Sequence, residues 1–150
     1  MDESPLPEQD TRTAQPRIVV GVDGSEPSIK ALQQADLISR ALGARIEAVT
    51  TWTYPPRTNP EAEAEDPTFE EAAEDTLDVA LTAAYGTDRP TLLTPLVLYG
   101  SPAKVLLEHS AGAAMLIVGS RGHGGFEGLL LGSVSAQCTA HAPCPVLVAR

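Results

Sequence analysis

Ile18-Val19-Val20-Gly21-Val22 is an apolar, largely β-branched run with no polar alternation. A strand with one wet face alternates; a strand buried on both faces reads as a continuous apolar stretch. This run therefore asks for a parallel sheet covered by helices on both sides. Met115-Leu116-Ile117-Val118 and Pro145-Val146-Leu147-Val148 repeat the pattern, and Arg45 to Trp52 and Leu92 to Tyr99 supply two more strands. Pro95 suits a strand at the sheet edge, where its missing N–H breaks no ladder. Helical signals fall between the strands. Ser25 is an N-cap with Pro27 in the first turn, Ala31, Ala35, Ile38 and Leu42 recur at helical spacing, and Gly43 is the stop. Phe69, Ala73, Leu77, Ala80, Leu81 and Ala84 give a second helix its apolar face, and Gly86 ends it. Gly100-Ser101-Pro102 opens a third helix through about Ala111, and a short fourth begins near Gly132-Ser133. Strands alternating with helices predict a doubly wound α/β sheet.

The chain has 150 residues, the size of one domain, and 43% of them are apolar. Aromatics make up only 4%, so aliphatic residues and alanine must build the core. Ten Lys and Arg against twenty Asp and Glu give a net charge of −10. Nucleic acid and anionic membrane surfaces would be repelled, so neither is expected as a partner. No apolar run is long enough to span a bilayer, and Met1-Asp2-Glu3-Ser4 lacks the basic and apolar regions of a secretory signal. Cys138 and Cys144 have neither C-x-x-C nor zinc-ligand spacing and are expected to be buried thiols of a cytoplasmic protein; the alternative is a redox-sensing thiol. Residues 1–16 are proline-rich and polar and are expected to form a disordered arm before a domain over 17–150. Residues 53–67 hold Pro55, Pro56, Pro60 and Pro67, which break regular structure. Eight of the fifteen residues from Glu61 to Asp75 are acidic: a solvated loop leading into an acidic first helical turn, or a partner-binding patch.

Ligands of open α/β sheets bind beyond the carboxyl ends of the strands, where strand order reverses. The first strand ends at Asp23 and the fourth at Gly119. Six of the chain's twelve glycines lie between Gly119 and Gly132. Glycine lets backbone N–H groups approach a ligand and converge on an anion. Ser133, at a helix start, adds hydroxyl and N–H donors at a positive dipole end, and Arg121 adds a full charge. Neither G-x-x-x-x-G-K-[ST] nor G-x-G-x-x-G is satisfied, which excludes a Walker loop and a dinucleotide fingerprint. Asp23 is either a turn residue or a contact to a ribose, an adenine or a phosphate-bound Mg²⁺. His123 is expected to be exposed rather than catalytic, since no carboxylate is placed to orient it. His109 and His141 are read as surface or helix-cap residues.

Gly119, Gly122 and Gly132-Ser133 fit G-x2-G-x9-G-[ST], the nucleotide-binding pattern of ATP-binding universal stress proteins. Ile18 to Ser25, Tyr99-Gly100-Ser101-Pro102-Ala103 and Cys144-Pro145-Val146-Leu147-Val148 resemble the same family, and the likeness covers residues 17–150. The resemblance implies a five-stranded parallel sheet of order 3-2-1-4-5, Rossmann-like and adenine nucleotide alpha hydrolase-like. It implies a homodimer joined through the C-terminal strand, an unknown protein partner, and ATP, with Mg²⁺ as a possible companion, between strands one and four. Carried over by position, Gly21 and Asp23 line the nucleotide, and Thr51 meets the adenine through its backbone. Gly119, Gly122, Gly132, Ser133 and Val134 hold ribose and phosphates; Ser120, Arg121, His123, Gly124 and Gly125 complete the loop. A bulky residue at Gly119 or Gly132 is expected to abolish nucleotide binding while the fold survives. Met115 departs from the family's frequent aspartate and puts helix–strand packing there in question.

The resemblance implies a stress-response regulator with slow or no hydrolysis rather than an enzyme. Two other readings stand beside it. One is a nucleotide hydrolase using Asp23 with a metal and His123 as base. The other is an interaction module whose glycine loop is only structural.

Overall fold

The computed structural model describes residues 15–55, 67–123 and 131–150. Most of the expected arm, most of the proline-rich segment and Gly124 to Leu130 lie outside these residues. In chain order the elements are β1 (Arg17–Gly21), α1 (Glu26–Leu42), β2 (Arg45–Trp52), α2 (Pro67–Tyr85), β3 (Leu93–Tyr99), α3 (Pro102–His109), β4 (Met115–Gly119), α4 (Ser133–His141) and β5 (Val146–Ala149). Every strand pairing is parallel, and the sheet order is β3-β2-β1-β4-β5, the order implied by the family resemblance. Gln15 and Pro16, assigned to the arm on composition, are already tied to the fold. Arg45 N–H donates to Pro16 O at 2.9 Å, and the Gln15 side-chain amide donates to Gly43 O at 3.1 Å.

The continuous runs of the central strands β1 and β4 are buried on both faces, as their lack of alternation requires, whereas Val146, Leu147 and Val148 of the edge strand β5 are only partly buried. Ile18, Val20, Ala48 and Ile117 join one core with Ala31, Leu32 and Ala35 of α1 and Leu77, Ala80 and Leu81 of α2. Val19, Val49, Leu116 and Val118 join the other core with Leu106 of α3 and Cys138 of α4. The Tyr85 hydroxyl donates to Leu32 O and ties α2 to α1. Burial, with Asp36 nearby, raises its pKa and keeps that donor protonated. Met115 packs against the first core, so its departure from the family pattern leaves this packing intact.

Local signals set the element ends. Ser25 is extended (φ −68°, ψ 158°) and accepts from Ser28 N–H, while Gly43 (φ 64°) ends α1 in the left-handed region. Gly86 (φ 64°) ends α2 in the same way. Helix α3 stops at His109, short of the expected Ala111, because Ser110 caps it and Gly112 (φ 80°) turns the chain. Leu42, expected on the buried stripe, is 52% exposed on the final residue of α1. Cys138 is fully buried, and burial, with Cys144 beside it, raises its thiol pKa, which argues against a reactive thiolate. Cys144, expected to be buried, is half-buried because it lies in the turn before the edge strand β5.

The amino end of the sheet is closed by side chains. Glu47 Oε2 lies 2.5 Å from His109 Nε2, and its Oε1 lies 3.5 Å from Arg17 Nε. Arg17 also donates to the carbonyls of His109 and Ala111 at 2.9 and 2.8 Å, satisfying the end of α3. His109 thus departs from the surface reading: it is part of a half-buried ionic cluster.

Candidate functional site

At the opposite end of the sheet a cavity of about 480 Å³ opens over β1, β2 and β4. Strand order reverses here, since β1 runs on into α1 while β4 pairs on its far side. Gly21 and Asp23 form the floor. Thr51 stands on the β2 side, and Gly119, Arg121, Gly122 and His123 stand on the β4 side. Gly132, Ser133 and Val134 reach the same cavity from the start of α4. Ser120 does not line it. That residue is 6% exposed, its N–H donates to Ala149 O at 2.7 Å, and its carbonyl accepts from Gly132 N–H at 2.7 Å and Ser135 Oγ at 2.9 Å. It is the buried joint that fastens the beginning of the glycine loop to its end. Gly124 and Gly125 fall outside the described residues.

The glycines have different reasons to be glycine. A Cβ on Gly119 would lie 2.8 Å from the Pro27 carbonyl carbon and 2.9 Å from Ser28 N, so β4 touches the backbone of α1 there. A bulky residue at Gly119 disturbs the fold itself, which corrects the expectation that such a variant folds normally. A Cβ on Gly122 would lie 2.3 Å from Asp23 Oδ2. Gly132 has ordinary φ (−74°), and its Cβ would meet nothing closer than 3.4 Å, so the fold has room for a side chain there.

Asp23 combines its two expected roles in geometry. Oδ1 accepts from Ser25 N–H at 2.9 Å and from the Ser25 hydroxyl at 2.5 Å, which is the turn. Oδ2 accepts from His123 N–H at 3.3 Å and so bridges to the glycine loop. Burial works to raise the Asp23 pKa, but the hydrogen bonds from Ser25, Ser28 and His123 outweigh it and hold the carboxyl below 3.8. The group is an anion at neutral pH. Asp23 meets His123 through the backbone N–H, not the imidazole. The Gly132 cap provides no side-chain hydrogen bond, so among the described residues no cap side chain occupies the first-turn N–H groups of α4. Arg121 is the cation among the described lining residues.

Sequence reasoning missed the wall contributed by β2 and α2. Trp52, Phe69, Ala73 and Thr76 also line the cavity. Phe69, expected on the buried face of α2, is 36% exposed and meets Tyr54 instead of the core. The available signal was the gathering of aromatics at Trp52, Tyr54 and Phe69 in a chain with only six.

An open parallel sheet in this order, with a crevice at its switch point, defines a Rossmann-like α/β protein. The chain belongs to the universal stress protein family, whose model matches residues 16–150. It is 34% identical over 141 residues to a universal stress protein of Thermus aquaticus, covering 89% of this chain and 97% of that one. It is 33% identical over 144 residues to one of Mycobacterium tuberculosis, covering 90% of this chain and 48% of that relative, so it spans about half the mycobacterial protein. Among solved structures, UspA of Lactobacillus plantarum superimposes with a TM-score of 0.73 at 22% identity, covering 90% and 97% of the two chains. A universal stress protein solved in complex with cAMP matches with a TM-score of 0.56 at 28% identity, covering 90% and 96%.

Proposed function

We propose that this chain binds an adenine nucleotide, ATP in the first instance, in the cavity over β1 and β4, as a regulatory protein with slow or no hydrolysis. The observation that carries the reading is the Gly132 N–H to Ser120 O bond of 2.7 Å. It gathers Gly122, His123, Arg121 and the start of α4 on one wall, where amide donors, a helix dipole and a cation all favour an anion. A site built from backbone donors suits phosphate even on a chain of net charge −10. The relative crystallised with cAMP, at 28% identity, supports adenine and phosphate as the ligand chemistry.

In this reading Gly21, Asp23 and Thr51 meet ribose and adenine. Gly119, Gly122, His123, Gly132, Ser133 and Val134 hold ribose and phosphates, with Arg121, Gly124 and Gly125 completing the loop. The ionised Asp23 carboxylate is suited to a phosphate-bound Mg²⁺, which would neutralise charge there. Fast phosphoryl transfer needs an oriented base and a cationic clamp, and Asp23 holds the His123 backbone rather than its ring. The protein is read as cytoplasmic, and as a homodimer joined through β5, which among the described residues pairs with β4 alone and stands at the sheet edge.

The test is to identify any nucleotide released on denaturation by mass spectrometry, then titrate stripped protein with ATP and Mg²⁺ by calorimetry. The expected result is one ATP per chain, with affinity lost in Gly132→Val while its melting temperature is retained. Absence of nucleotide both on release and on titration at millimolar ATP overturns the reading. Light scattering tests the dimer.

A further inference from the structure

Four of the six aromatic side chains form one contact cluster at the mouth of the cavity. Trp52 and Tyr99 are register partners on β2 and β3, with ring centroids 5.0 Å apart at 72°. Tyr54 meets Trp52 edge-on at 5.2 Å and Phe69 at 6.0 Å. Neither core includes any of these four rings. Tyr99 is 63% exposed and Phe69 36%, an unusual place for the chain's scarcest large apolar groups. Edge-to-face packing fixes the rings against one another without covering all their faces. Trp52 and Phe69 line the cavity, while Tyr54 and Tyr99 are not among its lining residues and contact those two rings.

This wall stands opposite the anion-binding wall. The ends of β2 and β4 lie on either side of β1, two strand spacings or about 10 Å apart. A ligand reaching across has a charged end among amides and its other end among π faces. We propose that Trp52, with Phe69, is the surface against which the planar base of the nucleotide packs, and that Tyr54 and Tyr99 are positioning residues that hold the indole. The cluster then makes the site prefer a base-bearing phosphate over a bare sugar phosphate. This rests on the nucleotide reading above and adds a stacking subsite to it.

The test compares AMP with ribose 5-phosphate by calorimetry for the unaltered chain, Trp52→Ala, Trp52→Phe and Tyr99→Ala, with thermal melts as the folding control. Trp52→Ala is expected to weaken AMP about ten-fold or more, in line with base–aromatic stacking, and to leave ribose 5-phosphate unchanged. Trp52→Phe restores most of the loss, and Tyr99→Ala costs only a few-fold. Trp52 is the only tryptophan, so its emission supplies an independent readout that needs no variant. It should change with AMP and not with ribose 5-phosphate. Equal AMP affinity with and without the indole overturns the proposal and spares the nucleotide reading, as does parallel loss of both ligands. Failure of AMP to bind the unaltered chain overturns the stacking proposal, while the nucleotide reading stands or falls on the ATP titration described above.

Discussion

The two ends of the sheet use polar groups in opposite ways. At the amino end, the Glu47 carboxylate is shared by the side chains of Arg17 and His109, and Arg17 also holds the His109 carbonyl. At the carboxyl end, glycines replace side chains, the α4 cap lacks a side-chain bond, and about 480 Å³ stays open. One end spends its polarity on holding strands and a helix together. The other keeps donors in reserve. Charge alone does not identify a site; donors left over after the fold has been satisfied do.

The strongest way to break this comparison is Gly119→Val, which should destabilise the protein by about 3 kcal/mol through overpacking against the α1 backbone, measured by urea denaturation. A fully stable variant would show that the close approach is not a constraint. Next comes Glu47→Gln, which deprives Arg17 and His109 of their shared carboxylate and should cost about 2 kcal/mol. Nucleotide affinity should be untouched; a parallel loss would mean that the two ends are not separate. Asp23→Asn sharpens the contrast through pH. The folded-state pKa lies below 3.8, so Asp23 contributes stability above that value and loses it as pH falls through the folded pKa. The substitution should flatten that acid limb in unfolding curves taken from pH 6 to 3. The smallest effect belongs to Gly132→Ala, about 0.5 kcal/mol or less, because the φ is ordinary and the Cβ has room.

Much of the fold was legible because its signals are local. Continuous β-branched runs, Ser25 and Gly43 mark strands and helix ends without help from distant residues. The site was legible in part for the same reason: the spacing of Gly119, Gly122 and Gly132 encloses a loop whose two ends meet. What stayed hidden depends on pairing across the sheet. Glu47 and His109 meet only because β2 and α3 share an end of the domain. Trp52 meets Tyr99 only through the β2–β3 register. Ser120 looked like one more loop donor, and only its burial beside Ala149 and Ser135 shows it to be a joint.

The pairing of β1 with β4 also carries a kinetic consequence. Ile18 and Met115 are register partners separated by most of the chain. Such a non-local contact can be gained only after a large loop has closed, and topologies of this kind fold slowly. The cavity straddles that seam, so it is complete only when the seam is shut. A molecule bound across it therefore acts chiefly on the unfolding limb, lengthening the life of the folded chain while leaving its rate of formation nearly unchanged.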